Sequence, residues 1–263
     1  MIRLLCFCCI VFYLLPLPVK AQQSQETKIE PVIPIGPSTQ RALDLALVEQ
    51  LVVERTNAFR REHKQPPLRL NSDLETAAAS FADYMAAHDK YGHTADGHEP
   101  WERARLAGYD YCTGSENIAF AAVPADFKPE QLADVFIHGW ENSPEHQENL
   151  LDPDVVEFGV AISHDKKTGK YYAVQDFGRP KSMAYHFTIG NDTDAEIPYR
   201  VDDKEFKLPP HYRMVHECCR QALVAVTIKD RDGNERVEKL KPSKEQTFTF
   251  RDSESGPPMI SND

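Results

Sequence analysis

Three residues carry the side chains best suited to chemistry: His93 in Tyr91-Gly92-His93-Thr94-Ala95-Asp96-Gly97, Glu116 in Gly114-Ser115-Glu116-Asn117-Ile118-Ala119, and His146 in Ser143-Pro144-Glu145-His146. Two imidazoles and a carboxylate form a reasonable ligand set for Zn²⁺ with one position left open. Ser143 is a good N-cap and Pro144 a good first helical residue, which places His146 in the first turn of a helix. The positive end of the helix dipole opposes protonation there, and neutral imidazole is the form a metal binds. These residues share no short ligand motif, however, so spacing alone does not establish a metal site. A hydrogen-bonded polar core in which Glu116 accepts backbone amides accounts for them equally well. Ser115 and Ser143 are the candidate nucleophiles, but nothing around them forms a nucleophile elbow, and the Ser143 oxygen is expected to be engaged as a cap. His98 reads as a loop residue near the rim, His138 as helix packing close to Trp140, and His211 and His216 as residues of a separate β region.

The elements that must position these groups follow from hydrophobic spacing. Leu43, Leu47 and Leu51, with Val48 and Val52, predict a helix from about Gln40 to Arg61. Ser72 with Glu75 three residues later reads as a capping box opening a second helix, lined by Leu74, Ala78, Phe81 and Met85. Pro129 starts a third, with Leu132, Phe136 and Trp140 on one face. Val156, Phe158, Val160 and Ile162 alternate, a turn follows at Asp165–Gly169, and Tyr171–Phe177 completes an antiparallel hairpin. Helices followed by paired strands indicate an α+β layer domain over residues 42–180. Beyond Lys181, segments such as Tyr185–Ile189, Leu223–Ile228, Arg236–Leu240 and Thr247–Phe250, with a turn at Asp232-Gly233, indicate a small all-β domain over 181–263 with a loose tail from Ser253.

The first 21 residues read as an export signal: Arg3, an apolar run from Leu4 to Leu17, then Val19-Lys20-Ala21. Residues 22–41 are rich in Gln, Pro and Ser and read as a disordered linker. Removal of Arg3 and Lys20 with the signal takes the formal charge from −11 to −13, which disfavours nucleic acid as a partner. No segment of the mature chain has the composition of a transmembrane helix. Cleavage leaves Cys112, Cys218 and Cys219 in an oxidising compartment, extracellular or periplasmic. Strain disfavours a ring between adjacent cysteines, so either one of them bonds Cys112 or all three stay as thiols.

Taken in order, Asn57, Arg60, Pro67-Leu68-Arg69-Leu70-Asn71-Ser72-Asp73-Leu74, His93, Asp96-Gly97, Arg103, Ala107-Gly108-Tyr109, Glu116-Asn117-Ile118-Ala119, Trp140, Asn142-Ser143-Pro144, His146, Asn149-Leu150 and Gln175-Asp176-Phe177-Gly178 resemble the CAP superfamily (cysteine-rich secretory, antigen five and pathogenesis-related proteins) in its compact bacterial branch. The resemblance covers about Leu47 to Pro180. It implies a three-layer α/β/α sandwich whose cleft holds a divalent ion, Zn²⁺ or Mg²⁺, on two histidines and two glutamates. His93, Glu116 and His146 match three of these. Ser143 stands where vertebrate members carry the fourth, and Glu145 stands where the bacterial branch generally has glycine. Asn117, Asn142, Ser143 and Glu145 are then expected to support the cleft. The function implied is a secreted, noncatalytic binding module for a protein, lipid or cell-envelope ligand. The alternatives are a metal-dependent or serine-type peptidase using the same cleft, and an adhesive protein acting through the β domain.

Overall fold

The computed structural model describes residues 43–124, 126–229, 235–252 and 259–262; the expected signal (1–21), the linker (22–41) and the Asp232-Gly233 turn lie outside the described residues. Two compact units divide between Ser182 and Met183.

In the first unit, helix α1 (Leu45–Glu62) opens on Asp44, whose carboxylate accepts the Leu47 amide at 3.2 Å. Its apolar stripe buries Val48 and Val52. Arg60, on the same helix, is fully buried and donates to the carbonyls of Pro66, Leu150 and Asp152. Helix α2 (Ser72–His88) is capped by Asn71 rather than by Ser72, because Asn71 Oδ1 accepts the Asp73 and Leu74 amides at 3.0 and 3.2 Å. Helix α3 (Pro100–Leu106) is too short to show a hydrophobic period and was not foreseen. Helix α4 (Pro129–Glu141) begins at the expected proline, and α5 (Pro144–Leu151) follows.

Four strands form one sheet in the order β1 (Arg69–Leu70), β3 (Glu157–His164), β4 (Lys170–Pro180), β2 (Tyr111–Ala122). The β3–β4 hairpin turns where the sequence places it, with the Asp165 carboxylate accepting from the Lys167 amide and the Thr168 hydroxyl. Both faces of the central strands are apolar. Val160, Ile162 and Ala173 join a cluster with Phe136 and Trp140, while Ala161, Tyr172 and Val174 join one with Phe81 and Met85. A sheet patterned in this way needs helices on both sides, and α2 covers one face while α1 and α4 cover the other. The three-layer sandwich is therefore present as expected. Contact is closest at Gly159 on β3, where an ideal Cβ would lie 2.2 Å from the backbone of Leu74 and Glu75.

The second unit is a pair of four-stranded sheets. One has the order β10 (Glu235–Leu240), β9 (Val224–Lys229), β6 (Ile197–Val201), β7 (Lys204–Leu208). The other runs β12 (Met259–Asn262), β11 (Thr247–Arg251), β5 (Tyr185–Asn191), β8 (Arg213–Cys218). Alternate residues of both, including Phe187, Ile189, Tyr199, Val226 and Phe250, share one core. The expected loose tail is corrected at its far end: Met259–Asn262 pairs antiparallel with β11, which supplies the partners that an edge strand otherwise lacks. Cys219 is disulfide-bonded.

His216 is fully buried in this core, stacked on Phe187 and hydrogen-bonded through Nε2 to the Tyr199 hydroxyl at 2.8 Å. Burial pushes its pKa down from 6.5 to about 4. The unfolded chain therefore takes up a proton below pH 6.5 that the folded unit refuses, and stability falls from pH 6.5 to about 4, by roughly 3 kcal/mol at most. Hydrogen exchange at the amides of β5 and β8 is expected to show this loss relative to a His216→Phe variant. A difference between the two proteins that stays constant across the range would refute it.

Candidate functional site

The longest strand of the first unit, β2, carries the central carboxylate and lies at the sheet edge. Its register with β4 sets Glu116 directly opposite Asp176. Like charges so placed repel, and two features relieve the clash. Arg103, brought in by α3 and packed over the Phe81 ring, donates through Nη2 to Glu116 Oε2 at 2.5 Å and through Nη1 to Asp96 Oδ1 at 3.0 Å. Asp176 is wholly enclosed, and burial followed by the charge of Glu116 pushes its pKa well above the ordinary carboxylate range. Arg103, Asp96 and Asp176 thus complete the site. All three fall among the residues that carry the family resemblance, and none has a local signal of its role.

His93 follows α2 in a turn and places Nδ1 2.7 Å from Glu116 Oε1, so the first two expected residues meet directly. The third, His146, sits in the first turn of α5. Asn117 holds this turn to β2: its Nδ2 donates to the His146 carbonyl at 3.2 Å, and its Oδ1 accepts from Asn149, which also donates to the Glu116 carbonyl. The pKa of His146 is lowered, as expected, but the first cause is burial and the second is the neighbouring His93, against an opposing pull from Glu145. Its Nδ1 is buried without a hydrogen-bond partner.

The expected supporting residues divide. Asn117 ties α5 to β2 through the bonds just described. Ser143 occupies the N-cap position, but its hydroxyl makes no capping bond, because the proline after it already fixes the helical start. Asn142 closes its own helix by donating to the His138 carbonyl, and Glu145 is exposed. His138 is solvent-exposed and paired with Glu141 rather than packed, while the His98 carbonyl accepts from Arg103.

Both oxygens of Glu116 are engaged, one by Arg103 and one by His93. Among the described residues, no group of three or more His, Cys, Asp or Glu side chains is placed to hold a metal ion. Glu116 lies behind His93, in the position of a carboxylate that orients an imidazole.

Beside this network lies a cavity of about 480 Å³, bounded by α3 and by β2 with β4. Leu74, Trp101, Ala104, Tyr109 and Tyr111 line it, together with His93, Glu116 and Asp176. Cys112, also in the lining, is disulfide-bonded.

Residues 53–177 match the model of the CAP domain, the cysteine-rich secretory protein family. The chain is 27% identical over 143 residues to an uncharacterized protein of Bacillus subtilis, YkwD, a match that takes in 54% of this chain and about half (51%) of that protein. An outer surface protein of Borrelia burgdorferi aligns with a TM-score of 0.46 at 19% identity, over 54% of this chain and 99% of that one. An extracellular protein of Bacillus anthracis containing an SCP domain aligns at 0.43 and 23%, over 51% and 41%. No described helix is long and apolar enough to cross a membrane. Residues 53–177, a little under half of the chain, are thus similar to the CAP, cysteine-rich secretory protein, family.

Proposed function

We propose that the CAP domain is an exported, noncatalytic binding module whose His93 and His146 take up a divalent ion and whose cleft receives a protein, lipid or cell-envelope ligand. The observation that carries this reading is the pairing of His93 Nδ1 with Glu116, which fixes the ring and leaves Nε2 as the donor. His146, kept neutral by burial, adds a second imidazole whose Nδ1 has no partner. Imidazole nitrogen favours Zn²⁺ over Mg²⁺, which prefers oxygen. Bound there, Zn²⁺ would supply a Lewis-acidic attachment point for a ligand oxygen. Ser115 Oγ is buried without a hydrogen-bond partner, so no imidazole is placed to take its proton, which supports binding rather than serine hydrolysis. Export is supported by the signal-like first 21 residues and by the disulfide-bonded Cys112 and Cys219.

Calorimetric titration of the mature protein with Zn²⁺ tests the reading. His93→Ala and His146→Ala are each expected to weaken binding at least about tenfold, and Glu116→Gln by about tenfold through loss of the orienting charge. Equal heats from the wild type and both histidine variants would reject it.

A further inference from the structure

The cavity beside the His93–Glu116 network has features that the metal reading does not use. Trp101 lines it with half of its surface exposed, whereas the chain's other tryptophan, Trp140, is buried and donates to the Ile118 carbonyl. An exposed indole in the lining of an aromatic-walled hollow offers a flat apolar face that a ligand can cover. Deeper in the lining, Asp176 is 3% exposed; its carboxyl interacts with that of Glu116 opposite, and its Oδ2 makes no hydrogen bond within 3.5 Å. Ser115, also in the lining, likewise has a buried Oγ without one. Unpartnered polar atoms this deep are uncommon and mark where a ligand's polar groups are wanted.

The charge of the lining narrows the ligand class. No lysine or arginine lines the cavity; the Nη groups of Arg103 are engaged by Asp96, Glu116 and the His98 carbonyl, and only its buried Nε has no partner. A fatty carboxylate or a phosphate would find no counter-charge. A quaternary ammonium suits the aromatic walls but has no hydrogen-bonding group to offer Asp176. A ring with one apolar face and several hydroxyls meets every requirement. Its C–H groups lie on the electron-rich face of Trp101, and its hydroxyls both donate and accept. The volume of about 480 Å³ is within the range of small-ligand sites.

We propose that this cavity binds a neutral saccharide, with one pyranose ring stacked on Trp101 and its hydroxyls turned toward Asp176 and His93. This specifies the ligand of the binding module and does not depend on bound metal.

The test is titration of the full mature protein, in EDTA, with three neutral trisaccharides: triacetylchitotriose, cellotriose and maltotriose. Tryptophan fluorescence and saturation-transfer NMR are the readouts, with palmitate and choline run in parallel. At least one trisaccharide is expected to bind with saturation transfer strongest at one face of a ring. Trp101→Ala should weaken it at least about tenfold and Trp101→Phe less, with the amide spectrum checking that each variant is folded. Binding in EDTA alongside a failed zinc titration would leave this proposal standing and the metal reading refuted. Absence of binding by all three sugars, binding that Trp101→Ala leaves unchanged, or Trp101-dependent binding of palmitate or choline alone would each overturn it.

Discussion

Arg103→Met is expected to cost the CAP domain about 3–5 kcal/mol of stability, the loss typical of removing one partner from a buried ion pair. The side chains of Arg103 and Glu116 are 5% and 1% exposed, so methionine would fill the volume over Phe81 while leaving Glu116 charged and enclosed opposite Asp176. Asp96 would also lose its cation. Glu116→Gln should cost less, because Arg103 would keep Asp96 and an amide oxygen can still accept from it. Both tryptophans lie in this domain, so a urea titration followed by tryptophan fluorescence reports on it without contribution from the β unit. A loss below about 1 kcal/mol for Arg103→Met would mean that the pair is hydrated and that the buried network described above is wrong.

Gly159→Ala is expected to destabilise the same domain by about 3 kcal/mol or more, at the upper end of the range for forcing an extra methyl group into a packed core. The added carbon would fall 2.2 Å from backbone atoms of Leu74 and Glu75, in the first turn of α2, and backbone cannot swing aside as a long side chain can. Relief requires α2 to lift from β3, and α2 carries Phe81, the surface on which Arg103 lies. The substitution should therefore also weaken zinc and saccharide binding at temperatures where the domain remains folded. Gly190→Ala in the β unit is the comparison, because its Cβ would meet only side-chain atoms, at 3.3 Å or more. A Gly159→Ala protein with an unchanged urea midpoint would refute the close approach of α2 to the sheet.

Much of this arrangement is legible in the residues, for reasons that differ by element. The helices at α1, α2 and α4 declare themselves through apolar spacing and start signals, and the β3–β4 hairpin through alternation around a turn. Strand β2 does not, because Tyr111-Cys112-Thr113-Gly114-Ser115-Glu116-Asn117 mixes small and polar residues where a strand usually shows a period of two. Without β2 there is no register, and without the register nothing sets Glu116 opposite Asp176. Arg103 had one available signal. Arg103 and Arg105 are the two Lys or Arg residues between Lys90 and Lys128, so a buried Glu116 had few choices of counter-ion. Choosing between them required the position and facing of α3. His98, His138 and Ser143 show the converse limit: residue type placed them near the site, but their side-chain partners depend on a few degrees of local backbone.

In the β unit, β5 lies beside β11 in parallel, with Thr188 next to Thr247, so the first strand of this unit waits for a neighbour that arrives some sixty positions later. Parallel pairing at that sequence distance is slow, because a long loop must close before any contact rewards it. While the polypeptide is still being threaded out, one edge of β5 is bare, and a product interrupted before Thr247 keeps it bare. Such fragments present a template for strands of other molecules, so protection of this edge depends on the last stretch of the unit to be synthesised.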